Sequence, residues 1–303
     1  MTERFLKTNS PCFSAIDKIT IAFCGWFVLY MLIGLSRATD VYLHLPAYLS
    51  ILALVFLMAW AQQNLDPVTK PRMHSALSFV RSIYPVLLFG YFFTSSYAVN
   101  RVIFADWLDP LFHKIDHQLF GYYPSMVWGQ RFSHWAVSEL FHFAYFCYYL
   151  MIAGLPVYLY FKKKAAFKEL IFNLTFVFYL CYWIYSFLPV VGGRFFPEAM
   201  EMTKHYRAGV FTHIMVFIYS NTVHLGGAFP SSHVGITVVL TIAALKFVRP
   251  LGYIFAVITF FLTLATVYCH YHWFIDAVAG VGIGILGYYL ALFVHRKIQG
   301  ETP

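Results

Sequence analysis

This chain is short of charge. Asp, Glu, Lys and Arg make up 11% of its 303 residues, against roughly 25% in an ordinary soluble domain. With 60% hydrophobic residues and a mean hydropathy of +0.67, a soluble globular fold is excluded and a polytopic membrane protein is predicted. Acidic residues are the scarcer sign, 13 against 21 basic. The resulting net charge of +8 raises nucleic acid as a partner, but the cations gather in loops between apolar runs. That is the positive-inside pattern of membrane proteins, so no nucleic acid is expected. Paired cysteines are also missing. Cys12, Cys24, Cys147, Cys181 and Cys269 are scattered, which excludes a disulfide framework or a zinc site. The first apolar run ends at Ser36-Arg37 with no small-x-small cleavage site, and reads as a retained anchor rather than a signal peptide.

What the chain does have is apolar runs near 19–36, 45–62, 82–99, 135–161, 169–189, 231–247, 251–269 and 275–294, each close to a bilayer-spanning length. The expected fold is therefore all-α: a polytopic membrane helical bundle of about eight transmembrane helices. Basic residues fall in 1–18, 63–81 (Lys70, Arg72, Arg81), 162–168, the Lys246/Arg249 turn and the tail with Arg296 and Lys297. The alternating loops at 37–44, 100–134, 190–230 and 270–274 are mixed in charge. This pattern predicts both termini in the cytoplasm. Residues 100–134 mix acidic and apolar residues at helical spacing, as in Asp106-Trp107-Leu108-Asp109 and Ile115-Asp116-His117. Short amphipathic helices lying in the outer interface are expected there, either covering a site or simply packing.

Three polar islands interrupt the last third: Gly192-Gly193-Arg194, Gly226-Gly227-Ala228-Phe229-Pro230-Ser231-Ser232-His233, and His270-Tyr271-His272 through Asp276. All fall on the predicted outer face, and ionisable groups at such depths suggest function. Ser231 precedes an apolar run as a helix N-cap would, and Gly227 permits close backbone approach. A helix start is a ready phosphate site, with His233 in its first turn; a merely capped helix is the plainer reading. His272 and Asp276 are spaced i, i+4, so the carboxylate can orient the imidazole or serve a structural contact. Arg194 can clamp phosphate oxygens or snorkel to head groups. His270-x-His272 with Asp276 is also a conceivable metal chelate. Glu139 and His142 share a helical face, where a site role and a structural pair are both open. Taken together, a cation, a helix-end cradle, a His-Asp couple and a second His form the inventory of phosphoryl transfer.

These islands resemble the three signature motifs of the type 2 phosphatidic acid phosphatase superfamily, which includes the vanadium haloperoxidases. Pro230-Ser231-Ser232-His233 is similar to its Pro-Ser-Gly-His motif, His272-x-x-x-Asp276 with Ala277-Val278-Ala279-Gly280 to its His-x-x-x-Asp motif, and Arg194 to the arginine of its first motif. Gly226-Gly227-Ala228-Phe229-Pro230 and the stretch at 109–124 look most like the inositol phosphorylceramide synthase branch and its bacterial relatives. The resemblance implies a six-helix phosphatase-like core over 79–296, with 100–134 as a cap and two added helices in 1–78. It implies His272 as nucleophile forming a phosphohistidine, Asp276 holding it, and His233 as acid then base. Arg194, Ser231, Ser232, Gly227 and His270 would hold phosphate, with no metal or other cofactor. The chain departs from the family at three positions, where Phe187 stands for a lysine and Ala265-Thr266 for Ser-Arg. Lys204, Arg207, His224 or His270 are candidate replacements for the lost cations.

The expected activity is that of a lipid phosphate phosphatase at the outer face. The alternative is a phosphotransferase of the inositol phosphorylceramide or sphingomyelin synthase type, moving a head group to a lipid alcohol acceptor. Lipid and bilayer are the expected partners. A di-iron oxygenase would need adjacent histidines, which are absent despite the pairs His113/His117 and His270/His272. A transporter would gather its polar groups at the bilayer midplane, whereas these gather at one surface.

Overall fold

A computed structural model describes residues 13–195, 209–220 and 225–300. Those residues form an all-α bundle of α1 (Ala15–Ile33), α2 (Val41–Asn64), α3 (Pro71–Ser95), α4 (Asp109–Phe120), α5 (Pro124–Arg131), α6 (Trp135–Lys162), α7 (Lys164–Tyr185), α8 (Val210–Ser220), α9 (Ser232–Phe247), α10 (Arg249–Tyr268) and α11 (Phe274–Gln299). Seven of these helices are long and apolar enough to cross a membrane. The eighth expected span, α9, has only 16 residues, or about 24 Å of helix, and is apolar between His233 and Lys246 apart from two threonines. Its start is the second polar island, so the shortest of the expected spans is the one that carries a site at its end. Residues at the start of α1 and the end of α11 line one common cavity, so the two described ends of the chain meet at the same end of the bundle.

The run near 82–99 is only part of its helix. The expected loop at 63–81 is instead α3 from Pro71 onward, so Arg72 and Arg81 sit on a helix. Hydropathy marks the apolar stretch, while Pro at the first helical turn starts the helix a full eleven residues earlier. A boundary between 78 and 79 would cut α3, which runs unbroken. Residues 100–134 do form two short helices, α4 and α5.

Between spanning helices lipid is as apolar as the side chains, so close packing rather than water exclusion holds a bundle together. Here aromatic rings do much of that packing. Phe23 of α1 stacks on Tyr179 of α7 with centroids 4.2 Å apart, and Phe89 of α3 meets Phe178 at 4.3 Å. Thr20 and Tyr179 share a hydrogen bond of 3.1 Å beside the first pair. The four described cysteines, Cys24, Cys147, Cys181 and Cys269, are free and buried.

At the heart of the bundle, α9 packs against α10 and α11. A Cβ on Gly280 would lie 2.7 Å from the Ser231 carbonyl, and one on Gly284 2.7 Å from that of Gly235. Only glycine lets α9 and α11 approach so closely, and this approach brings the second and third polar islands together.

Candidate active site

Each island is held by a different local device. The first follows α7: Val190 pairs with Gly227 in an isolated parallel bridge, and the Ala228 amide donates to the Val190 carbonyl at 2.9 Å. Gly192 has φ +85° and its missing Cβ would stand 2.5 Å from the Tyr271 carbonyl, so no other residue fits there. Arg194 follows in a short 3-10 turn. Its Nη2 donates to the Tyr219 carbonyl, and its guanidinium carbon sits 4.7 Å from the Tyr219 ring centroid.

The second island starts α9 with Ser231 as N-cap. Tyr185, the last residue of α7, donates its hydroxyl to the Pro230 carbonyl at 2.8 Å and accepts the Ser232 amide at 3.2 Å. The Ser231 amide donates to the Asp276 carbonyl at 3.0 Å. Both amides expected to cradle phosphate are therefore already bonded, and Ser231 and Ser232 lie behind the cavity wall, buried.

The third island is a helix C-cap. After the end of α10, the His270 amide donates to the Val267 carbonyl and the Tyr271 amide to the Thr266 carbonyl, both at 3.0 Å. These bonds are the Schellman pattern, with His270 in the left-handed slot usually given to glycine at φ +61°. Its imidazole Nδ1 bonds the Ser125 carbonyl of α5. His270 was expected to hold phosphate; it is instead fully buried at the turn, outside the cavity, where it ties α10 to α5.

The cavity itself, about 80 Å³, is lined by Arg194, Gly227, His233 and His272 among the expected residues, with Phe93, Tyr219 and Tyr271 completing much of its wall. The rings of His233 and His272 have centroids 6.5 Å apart, near enough for both to touch one phosphoryl group. Tyr148 and Tyr145 pack on His233 at 4.6 and 5.2 Å. His272 Nε2 is 3.1 Å from Ser231 Oγ, and its Nδ1 is 3.5 Å from Asp276 Oδ2, which also accepts the Trp273 amide at 2.9 Å. The contact fits either tautomer; the one in which Ser231 donates to Nε2 keeps the proton on Nδ1, on the carboxylate side. Burial, with His233 close by, pushes the His272 imidazole down to about 3, so it is neutral at pH 7, and in that tautomer its lone pair is on Nε2. That is the form a nucleophile requires.

Two carboxylates that sequence reasoning left out of the site hold it together. Asp109, at the start of α4, accepts the Val191 and Gly192 amides at 2.9 and 2.8 Å and Trp273 Nε1 at 2.9 Å. Asp116 accepts the Phe274 and Ile275 amides at 2.7 and 3.0 Å, capping α11 just before Asp276. So the stretch expected as a cap clasps the first and third islands from below. Glu139 acts similarly on α8. It accepts the Phe211 and Thr212 amides, each at 2.9 Å, and so positions the helix whose Tyr219 holds Arg194. His142 bonds the Ser138 carbonyl at 2.7 Å. The signal for Asp109 and Asp116 was a seven-residue spacing, two helical turns, of acids in an apolar stretch. Nothing in the sequence marked Tyr185 or Tyr219.

Arg194 is the one Lys or Arg among the described residues lining the cavity. Lys204, Arg207 and His224 lie outside the described residues. Phe187 packs on Trp183, and Ala265 and Thr266 are buried in the last turn of α10.

A bundle of membrane-length helices with two histidines, a backing carboxylate and an arginine around one small cavity carries the side chains that phosphoester transfer uses. The family model described as PAP2 superfamily matches residues 111–290, from α4 to α11, and the chain belongs to that superfamily. No curated protein and no solved structure matches it. Membership points to activity of the lipid phosphatase or phosphotransferase type.

Proposed function

We propose that the protein cleaves a lipid phosphoester at the outer membrane face through a phosphohistidine on His272. The reading rests on one observation: buried His272 shares its cavity with His233 and Arg194. In the first step Nε2 leaves Ser231 Oγ and forms a bond to phosphorus as the phosphorus–oxygen bond to the leaving alcohol breaks. His233 donates the proton that the leaving oxygen takes up. Asp276 stabilises the Nδ1–H of the charged imidazole, and Arg194 neutralises charge on the phosphoryl oxygens. In the second step an oxygen nucleophile gives its proton to His233, attacks phosphorus, and releases His272. With water the protein is a lipid phosphate phosphatase, the main reading.

One observation favours transfer to a lipid hydroxyl instead. A phosphomonoester dianion calls for more positive charge than a phosphodiester monoanion, and Arg194 is the single fixed cation among the described residues of the wall. That suits a head group carried as a diester, as in the inositol phosphorylceramide synthase branch that the motifs resemble. The charge pattern of the loops supports both termini lying in the cytoplasm and the cavity facing outward.

The test is a lipid-panel assay of the purified protein with product identification, run with and without a lipid alcohol. Inorganic phosphate as product supports hydrolysis, and a new phospholipid appearing only with the acceptor supports transfer. Neither product from any lipid would refute the proposal.

A further inference from the structure

At the end of the bundle away from His233 and His272, the ends of α1, α2, α3, α7 and α11 surround a second, much larger cavity of about 650 Å³. Its wall is rich in cations and hydrogen-bond donors. Lys18, Arg81 and Lys168 line it, together with His74, His295 and several glutamine and serine side chains. Among the described residues, acids leave the two lysines unopposed. Asp17 is committed to Arg81 and to the Tyr84 hydroxyl, and Glu169, next to Lys168, is turned to Lys246 at 2.7 Å. The ammonium groups of Lys18 and Lys168 have no protein partner among the described residues, and Gln62 Oε1 is buried without one. Ile16, Phe172 and Ile298 give the same cavity an apolar side.

We propose that this cavity binds the phosphate-bearing head group of an anionic lipid from the leaflet opposite the candidate active site. Two unpaired ammonium groups beside the Arg81–Asp17 pair match the oxygens of a phosphodiester. The apolar side takes the glycerol and the first methylenes of the chains, which a soluble anion would leave uncovered. Lys168 stands in the second turn of α7, whose last residue is Tyr185, and His295 in the last two turns of α11, whose first turn carries Asp276. The lipid therefore braces, from the far end, two of the helices that build the catalytic cavity. This inference does not depend on the reaction proposed above.

The test is thermal unfolding of the full chain in nanodiscs of phosphatidylcholine alone, of phosphatidylcholine with phosphatidylglycerol, or of phosphatidylcholine with sodium phosphate in solution. Wild type is compared with the pair Lys18→Gln/Lys168→Gln and with a control pair at the same end outside the cavity, Lys162→Gln/Lys164→Gln. Phosphatidylglycerol is expected to raise Tm by about 3–6 °C in wild type and control, as for a well-filled site on a chain of this size, and to lose that effect in the cavity pair. Equal losses in both pairs would mean diffuse surface attraction and overturn the site. No response in wild type overturns it as well. A response to sodium phosphate as large as that to the lipid overturns the lipid assignment. Single Lys18→Gln and Lys168→Gln variants guard against a folding defect in the pair, each expected to lose part of the shift.

Discussion

The two ends of this bundle treat carboxylates in opposite ways. At the histidine end, Asp109, Asp116 and Glu139 are each satisfied by amide and other protein donors. At the other end, Asp17 and Glu169 are met by Arg81 and Lys246. The difference matters for chemistry. A carboxylate that accepts backbone amides fixes loop geometry and consumes no cation, and none of these three acids draws on Arg194, which bonds the Tyr219 carbonyl and lies against two aromatic rings. An acid paired with Arg194 would compete with any phosphate for it. Asp109, Asp116 and Glu139 build the site from other donors without drawing on its arginine.

The largest expected effect tests the histidine end itself. His272→Ala should cut turnover by at least about 10³-fold, as loss of a covalent nucleophile does, while the melting profile stays near wild type. Full activity in this variant would remove the nucleophile assignment.

The comparison is sharpened next by Asp109→Asn. One of its oxygens becomes an NH₂ facing amide donors, and a hydrogen bond to a charged acceptor is worth about 1.5–3 kcal/mol. A loss of about 2–4 kcal/mol in stability is expected on that basis, together with a fall in kcat as the first and third islands separate. The matching change at the other end is Glu169→Ala, which breaks a half-exposed ion pair. That should cost less than about 1 kcal/mol and leave kcat unchanged. Equal costs in chemical denaturation would erase the distinction between the two ends.

Protonation gives a third measurement. Burial holds His270 down to about 4 and His272 to about 3, well below the ordinary imidazole range. An unfolded chain takes up protons near 6.5 that these two folded histidines refuse. Their contribution to stability is therefore intact above about pH 6.5 and is lost as pH falls from there toward their folded values. Tm should drop between pH 6.5 and 4.5, and His270→Asn should make that drop shallower. The smallest effect concerns activity in the same variant. Asn tolerates the left-handed backbone, so if position 270 acts as a cap rather than a phosphate ligand, His270→Asn should keep most of wild-type turnover at pH 7.

How far the sequence could be read differs from element to element. The runs behind α6, α10 and α11 are long and apolar, and their spans lie within a few residues of the helices. For α3 the apolar run marks only the part of the helix whose environment is oily. The polar turns carrying Arg72 and Arg81 have no hydropathy signal, because helix and membrane depth are separate properties. In the site, Arg194, Gly227, His233 and His272 line one cavity, and Asp276 stands behind His272. Ser231, Ser232 and His270 have other employment, since an N-cap and a C-cap look the same in sequence as a phosphate cradle and a ligand pair. The difference lies in which partners fill their hydrogen bonds.

From the sequence alone came the class of fold, the three polar islands and the chemical kinds of side chain in them, because hydropathy and short-range spacing are local quantities. Tertiary structure alone decided that Asp109 would join Gly192 to Trp273, that Tyr185 would hold the start of α9, and that cations would surround a hollow at the far end. The hydrogen bonds among them join residues 47 to 164 positions apart. A buried carboxylate or hydroxyl takes whichever donor the packed helices bring within 3 Å or so, and no local pattern carries that information.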